Sequence, residues 1–259
     1  MLTITSEAFT YWLNQGFYPF IRLLALFTTA PFFNEKQAIT KTRIILALFT
    51  IVIISPLLPA VEIPLFSMMG IRVVLIQIGI GLIIGLTMQI IFAAVRYAGE
   101  IIGLQMGLSF ATFFDASSGP NVPILGRILN LFMMLLFLLY NGHLWLIDAV
   151  INSFESIPIQ QTLLNRDGFW SLVQFADSLF INGLMLALPF ITLFLILNIT
   201  LGILNRMTPQ LSTFAIGFPL TLTIGISMLG LLISILPHFT GRLLHQAFEQ
   251  LSLILSLFV

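Results

Sequence analysis

The chain contains no cysteine, which excludes disulfides, thiolate nucleophiles and Cys-ligated metals. Charge is almost as scarce. Of 259 residues only 8% are charged, ten Lys plus Arg against ten Asp plus Glu, for a formal net charge of zero. A soluble domain carries about 25%, so an ordinary soluble enzyme is excluded. The balance also leaves no basic surface for phosphates, and nucleic acid is not an expected partner. The first residues, MLTITSEAFTYW, carry no basic stretch ahead of a short apolar core, so no cleaved signal is expected.

What the chain does have is apolar length. Hydrophobic residues make up 59% of it, and the mean hydropathy is +1.09. About 20 apolar residues cross a bilayer as helix. Six runs qualify as candidates: 8–34, 44–61, 73–95, 128–147, 178–205 and 207–241. A seventh, 101–114, is too short to cross alone. The expected fold is an all-α integral membrane protein. Lys36, Lys41, Arg43, Arg96, Arg127 and Arg206 fall in the odd-numbered links, against Arg72, Arg166 and Arg242 elsewhere. That bias places the odd links in the cytoplasm and both termini outside.

Three features complicate a plain bundle. Pro189, Pro219 and Pro237 sit inside apolar runs, where each removes a backbone donor and bends or breaks a helix. Gly81 and Gly85 lie four apart, and Gly99, Gly103 and Gly107 continue at the same interval. Residues four apart share a helix face, and glycine there lets backbones approach closely. The third feature is polarity at membrane depth. Arg22 interrupts an apolar run and must snorkel or find a partner. Arg96 and Glu100 are spaced to pair on one helix, while Gln77, Gln89, Asn130, Asn141 and His143 all want partners.

The sequence offers little to an enzyme. His143, His238 and His245 match no metal-ligand spacing, and GIGLIIG lacks the strand, turn and Lys-Ser/Thr context of a phosphate loop. DASSGPNVP, at 115–123, has hydroxyls but no neighbouring histidine. No enzyme and no cofactor is expected. A self-contained secondary transporter of small solutes is the alternative function, since broken helices suit midplane sites, although no acid sits deep inside a clean run. The most unusual segment is 107–123, GLSFATFFDASSGPNVP, with Phe110, Phe113 and Phe114 ahead of a turn-rich stretch. Bulky apolar groups on a connector suit either a hydrophobic constriction or an interface anchor.

Three blocks carry a resemblance: GLQMGLSFATFFDASSG with the run that follows it to Ile147, LGILNRMTPQLSTFAIGFPLTLTIG at 201–225, and FYPFIRLLALFTTAPFF at 17–33. In order and spacing they resemble the FliR family of flagellar biosynthetic proteins, subunits of the bacterial type III export gate. The family pattern has proline after the aspartate of FATFFD; here that position is Ala116, and a proline stands at 120.

The resemblance implies kinked helical hairpins, with a FliP-like portion over 1–180 fused to a FliQ-like hairpin over 181–259, built for a helical hetero-oligomeric stack. It implies FliP-, FliQ-, FlhB- and FlhA-like partners and passage of unfolded flagellar substrates, in the bacterial inner membrane at the flagellar basal body. The segment 107–123 would be a pore plug, with Phe110, Phe113 and Phe114 as its occluding surface. Gly99, Gly103 and Gly107 would pack helices. Arg206, Pro209 and Gln210 would form the hairpin turn that meets a partner.

Overall fold

The computed structural model describes residues 6–31, 33, 39–58, 63–64, 67–108, 123–160, 163–208 and 213–258. Among the described residues every regular element is helical. In chain order these are α1 (Ser6–Thr29), α2 (Thr40–Ile54), α3 (Met68–Gln105), α4 (Ile124–Leu139), α5 (Gly142–Ser156), α6 (Arg166–Phe175), α7 (Asp177–Met207) and α8 (Thr213–Ser256).

The helices do not follow the six apolar runs. Three described helical stretches, Met68–Gln105, Arg166–Met207 and Gly217–Ser256, are long and apolar enough to cross a membrane. A fourth crossing exists if the bent pair α4 and α5 counts as one. This is a helical membrane protein, and among the described residues fewer stretches are long and apolar enough to cross than the runs suggested.

The differences have local causes. Run 73–95 and the short run 101–114 merge into one 38-residue helix, because Arg96 to Glu100 contains no breaker stronger than Gly99. A helical glycine costs only about 1 kcal/mol relative to alanine, and packing offsets that here. Run 44–61 gives a helix of 15 residues that ends at a tight turn over Ser55–Leu57 containing Pro56. At 1.5 Å per residue it reaches about 22 Å, short of the roughly 30 Å hydrocarbon core. Run 128–147 breaks at Asn141, whose φ of 57° is left-handed. Asparagine tolerates that region. The Asn141 carbonyl then accepts the amides of Leu144 and Trp145 at 2.9 and 3.1 Å, which starts α5.

The chain divides into two compact units. One comprises Met1–Gln89, Asn141–Phe175 and His245–Val259; the other comprises Ile90–Tyr140 and Ala176–Leu244.

In the first unit α1 lies against α3 where Gly81 and Gly85 face it. A Cβ on Gly81 would meet the Arg22 carbonyl and Ala25, and one on Gly85 would meet Thr29 and Ala30. The four-residue spacing therefore marks a real close approach. Phe169 and Phe258 stack edge-on at 4.9 Å in the same unit, beside Gly168, where any Cβ would strike the Phe258 ring.

In the second unit α3 crosses α4 with Phe92 and Phe137 edge-on at 5.5 Å. Tyr97 meets Phe180 of α7 at 5.6 Å. Gly183 makes room for the Tyr97 ring and the Ala94 carbonyl. The Tyr140 hydroxyl donates to the carbonyl of Pro237 at 3.0 Å, with Gly241 beneath the ring.

Candidate functional site: the stems of segment 107–123 and a buried arginine

Phe110, Phe113 and Phe114, the residues expected to form a plug, lie outside the described residues together with Ala116 and Pro120, as do Pro209 and Gln210. The stems of that segment are described, and both belong to the second unit. α3 stops at its end by a specific pair of backbone bonds. The Leu108 amide donates to the Gly103 carbonyl at 3.0 Å, and the Gly107 amide donates to Leu104 at 3.1 Å. With Gly107 at φ 78°, this is the Schellman arrangement that satisfies orphan carbonyls and favours glycine at the left-handed position. Segment 107–123 therefore leaves α3 through a fixed turn.

The outgoing stem begins at Pro123, which opens α4 without a donor to lose. Immediately after it, Gly126 lies against Gly99. A Cβ on Gly99 would come within 2.6 Å of the Gly126 Cα and 2.7 Å of its nitrogen. Backbone meets backbone at this crossing. Leu125 is buried beside it, 3.9 Å from where a Cβ on Gly103 would stand. Met106, also buried, fills the space left by Gly225 of α8.

The three glycines of one spacing thus stand in three environments. Gly99 is in backbone contact, Gly103 is in ordinary van der Waals contact, and Gly107 ends the helix. Arg96 and Glu100 form no ion pair among the described residues; the Arg96 carbonyl and the Glu100 side chain line the pocket of Gly126 instead.

Arg206 occupies the last turn of α7, where a cation complements the negative helix end. The following Thr208 closes that helix with both its amide and its hydroxyl on the Leu204 carbonyl, each at 2.9 Å.

The first unit holds the most unusual side chain. Arg22 is fully buried. Its Nε donates to Gln77 Oε1 at 2.7 Å, one terminal nitrogen to Ser153 Oγ at 2.8 Å, and the other to the Ile157 carbonyl at 3.0 Å. The Phe154 ring lies 4.0 Å from the guanidinium carbon. Ser153 in turn donates to Val150 at 2.6 Å, so its oxygen lone pairs are free to accept from Arg22. No carboxylate pairs with Arg22 among the described residues. Its counter-charge is the carbonyl-rich C-terminal end of α5, where helix dipoles sum to a partial negative charge, together with one amide oxygen. Snorkelling is thereby excluded.

The sequence flagged Arg22 and Gln77 separately as polar groups needing partners. Ser153, Phe154 and Ile157 were missed, because nothing local in a sequence links positions more than a hundred residues apart. The corner at Asn141 had a usable signal in its Asn-Gly dipeptide. Among the described residues no group of three or more His, Asp or Glu is placed to hold a metal ion.

Composition, long apolar helices and backbone-to-backbone crossings define a helical membrane protein with tightly coupled helices. The family model of bacterial export proteins, family 1, matches residues 13–247. The chain belongs to that family, and within it to the FliR flagellar biosynthetic proteins. It is 49% identical over 256 residues to flagellar biosynthetic protein FliR of Escherichia coli K12, covering 99% of this chain and 98% of that protein. The FliR protein of Pectobacterium carotovorum is 47% identical over the same length and coverage. That of Bacillus subtilis 168 is 29% identical over 223 residues, or 84% of this chain and 85% of the relative.

Proposed function

We propose that this chain is a structural, pore-forming subunit of the flagellar type III export gate, and not an enzyme. It assembles with FliP- and FliQ-like subunits around the channel for unfolded export substrates and meets FlhB- and FlhA-like components. The seat is the inner membrane at the flagellar basal body. Its portion 1–180 is FliP-like and 181–259 is the FliQ-like hairpin.

The observation that carries the reading is the match to flagellar FliR proteins along almost the whole chain. The surface of α2 supports it. Ile44, Ile45, Leu48, Phe49, Val52 and Ile53 are all exposed on that helix, which is too short to cross the bilayer. Neighbouring subunits supply the cover such a face needs. In-frame deletion tests the reading: export of filament subunits is expected to be lost and to return with the gene supplied in trans. Undiminished export in the deletion strain contradicts it.

The segment 107–123 is the plug in this proposal, and Phe110, Phe113 and Phe114 supply an occluding surface that excludes water. Its stems favour that role, since the Gly107 turn and the Gly99–Gly126 crossing hold both ends. Shortening the segment is expected to raise resting ion leakage of the assembled gate. Leakage equal to that of the unaltered gate rules out the plug. Gly99 and Gly103 serve in helix packing that holds these stems.

Arg206, with Pro209 and Gln210, forms the turn that contacts an FlhB-like partner. Arg206→Glu reverses a charge at an exposed helix end and is expected to weaken co-purification of that partner. Unchanged recovery removes Arg206 from the interface.

A further inference from the structure

Between residues 217 and 241 the exposed polar side chains of α8 fall in one row. Thr223, Ser227, Ser234 and His238 are spaced four, seven and four apart. At 100° per residue they fall within about 60° of arc. All four are exposed. The opposite side of this part of the helix is its packed side, with Gly225, Leu232, Leu236 and Phe239 buried. Between the two lie apolar shoulders that are also exposed: Leu231 and Ile235 on one flank, Ile226 and Ile233 on the other.

The row is not explained as a set of hydroxyls absorbed by their own helix. Thr223 and Ser227 do bond back, to the carbonyls of Pro219 and Thr223 at 2.8 and 2.9 Å, and such groups tolerate lipid. Ser234 and His238 have no hydrogen-bond partner among the described residues. Both ring nitrogens of an imidazole call for hydrogen-bond partners, and hydrocarbon satisfies neither.

Nor does snorkelling account for the row. From Thr223 to His238 is about 22 Å along the axis, most of the hydrocarbon thickness, so one headgroup layer does not reach all of it. In sequence the spacing continues with His245 and Glu249, an exposed pair at 3.3 Å, which lipid does not accommodate either.

We infer that the Thr223–Ser227–Ser234–His238 face of α8 is a water-facing surface, bordered by shoulders that meet lipid or neighbouring subunits. The inference rests on the gate reading above and deepens it. The face belongs to the hydrated path, where hydroxyls and an imidazole offer hydrogen bonds to an extended polypeptide.

The native chain has no cysteine, so each single cysteine is this chain's only thiol, and its modification is read on the mass of this chain. The positions are Ser227→Cys and Ser234→Cys in the row, and Ile226→Cys and Leu231→Cys on the shoulders. Each is tested in the complex assembled in nanodiscs, open to reagent from both ends. The probe is a trimethylammonium methanethiosulfonate, which reacts with thiolate and therefore needs water. Modification is expected to be at least about tenfold faster at 227 and 234 than at 226 and 231. Equal rates at row and shoulders, whether slow or fast, overturn the inference. Co-purification is read on the same samples. An intact complex with equal rates rejects the water-facing assignment alone, whereas a chain recovered without FliP- and FliQ-like subunits rejects the gate reading and the inference with it.

Discussion

Arg22→Met is expected to destabilise the protein by about 2–6 kcal/mol, because two buried neutral acceptors lose their donor. Methionine keeps much of the volume, so the loss comes from polarity. It strands Gln77 Oε1 and the Ile157 carbonyl in a dry interior, and each unpaired group costs about 1–3 kcal/mol. Arg22→Lys is expected to fall nearly as far. The planar fork reaches three acceptors on two other helices and the segment after α5; an ammonium is a point charge without that geometry.

The decisive comparison is the triple variant Arg22→Met, Gln77→Leu, Ser153→Ala. Removing the polar side chains of a buried cluster together is often far cheaper than removing one; with only the Ile157 carbonyl left unpaired, the triple variant is expected to recover about half of the loss. Thermal unfolding of the detergent-purified protein reads all of these. A triple variant less stable than Arg22→Met shows that the cluster does not act as a unit.

The second large effect is expected at Gly99. Alanine there places a Cβ against the Gly126 backbone, which has no rotamer to change, so α3 and α4 must separate. Overpacking of this kind costs about 1–3 kcal/mol, less the roughly 1 kcal/mol that alanine gains as a helix former. A β-branched residue adds bulk and loses that gain, so Gly99→Val is expected at the upper end. Because the crossing ties the two stems of segment 107–123, export is expected to fall with stability.

Gly103→Ala is the control four residues away. Its Cβ finds only Leu125 at 3.9 Å, and it is expected to be neutral or slightly stabilising. Gly107→Ala forces φ 78° on an L-residue and is expected to cost about 1–2 kcal/mol. Melting temperatures for the three variants test the order. Equal effects at 99 and 103 contradict the backbone contact.

These two regions also show what a sequence discloses here. The spacing of Gly81 and Gly85 carries the approach of α1 to α3, because close approach leaves a local four-residue signature. Arg22 stands out from its neighbours for the same reason. Its partners do not, because which distant acceptors a guanidinium meets depends on how α3 and α5 fold back. Segment 101–114 looked like a separate short piece because Arg96 and Glu100 set it off from the run before it, whereas the helix continues through both. Gly107 ends a helix while Gly99 is a crossing, and spacing does not distinguish the two uses. The break at Asn141 was visible as an Asn-Gly pair but was outweighed by the apolar run around it. Hydropathy measures transfer, and a left-handed residue stops a helix whatever its neighbours would gain in lipid.

The central claim is that this chain works as one part of a hetero-oligomeric gate. Native mass spectrometry tests it most directly, on the tagged chain co-expressed with its genomic FliP- and FliQ-like neighbours and extracted in mild detergent. The account predicts a defined complex that retains both kinds of neighbour together with a single copy of this chain. A stable monomer or homodimer extracted alone contradicts it, and points to the self-contained transporter, with liposome flux as its readout.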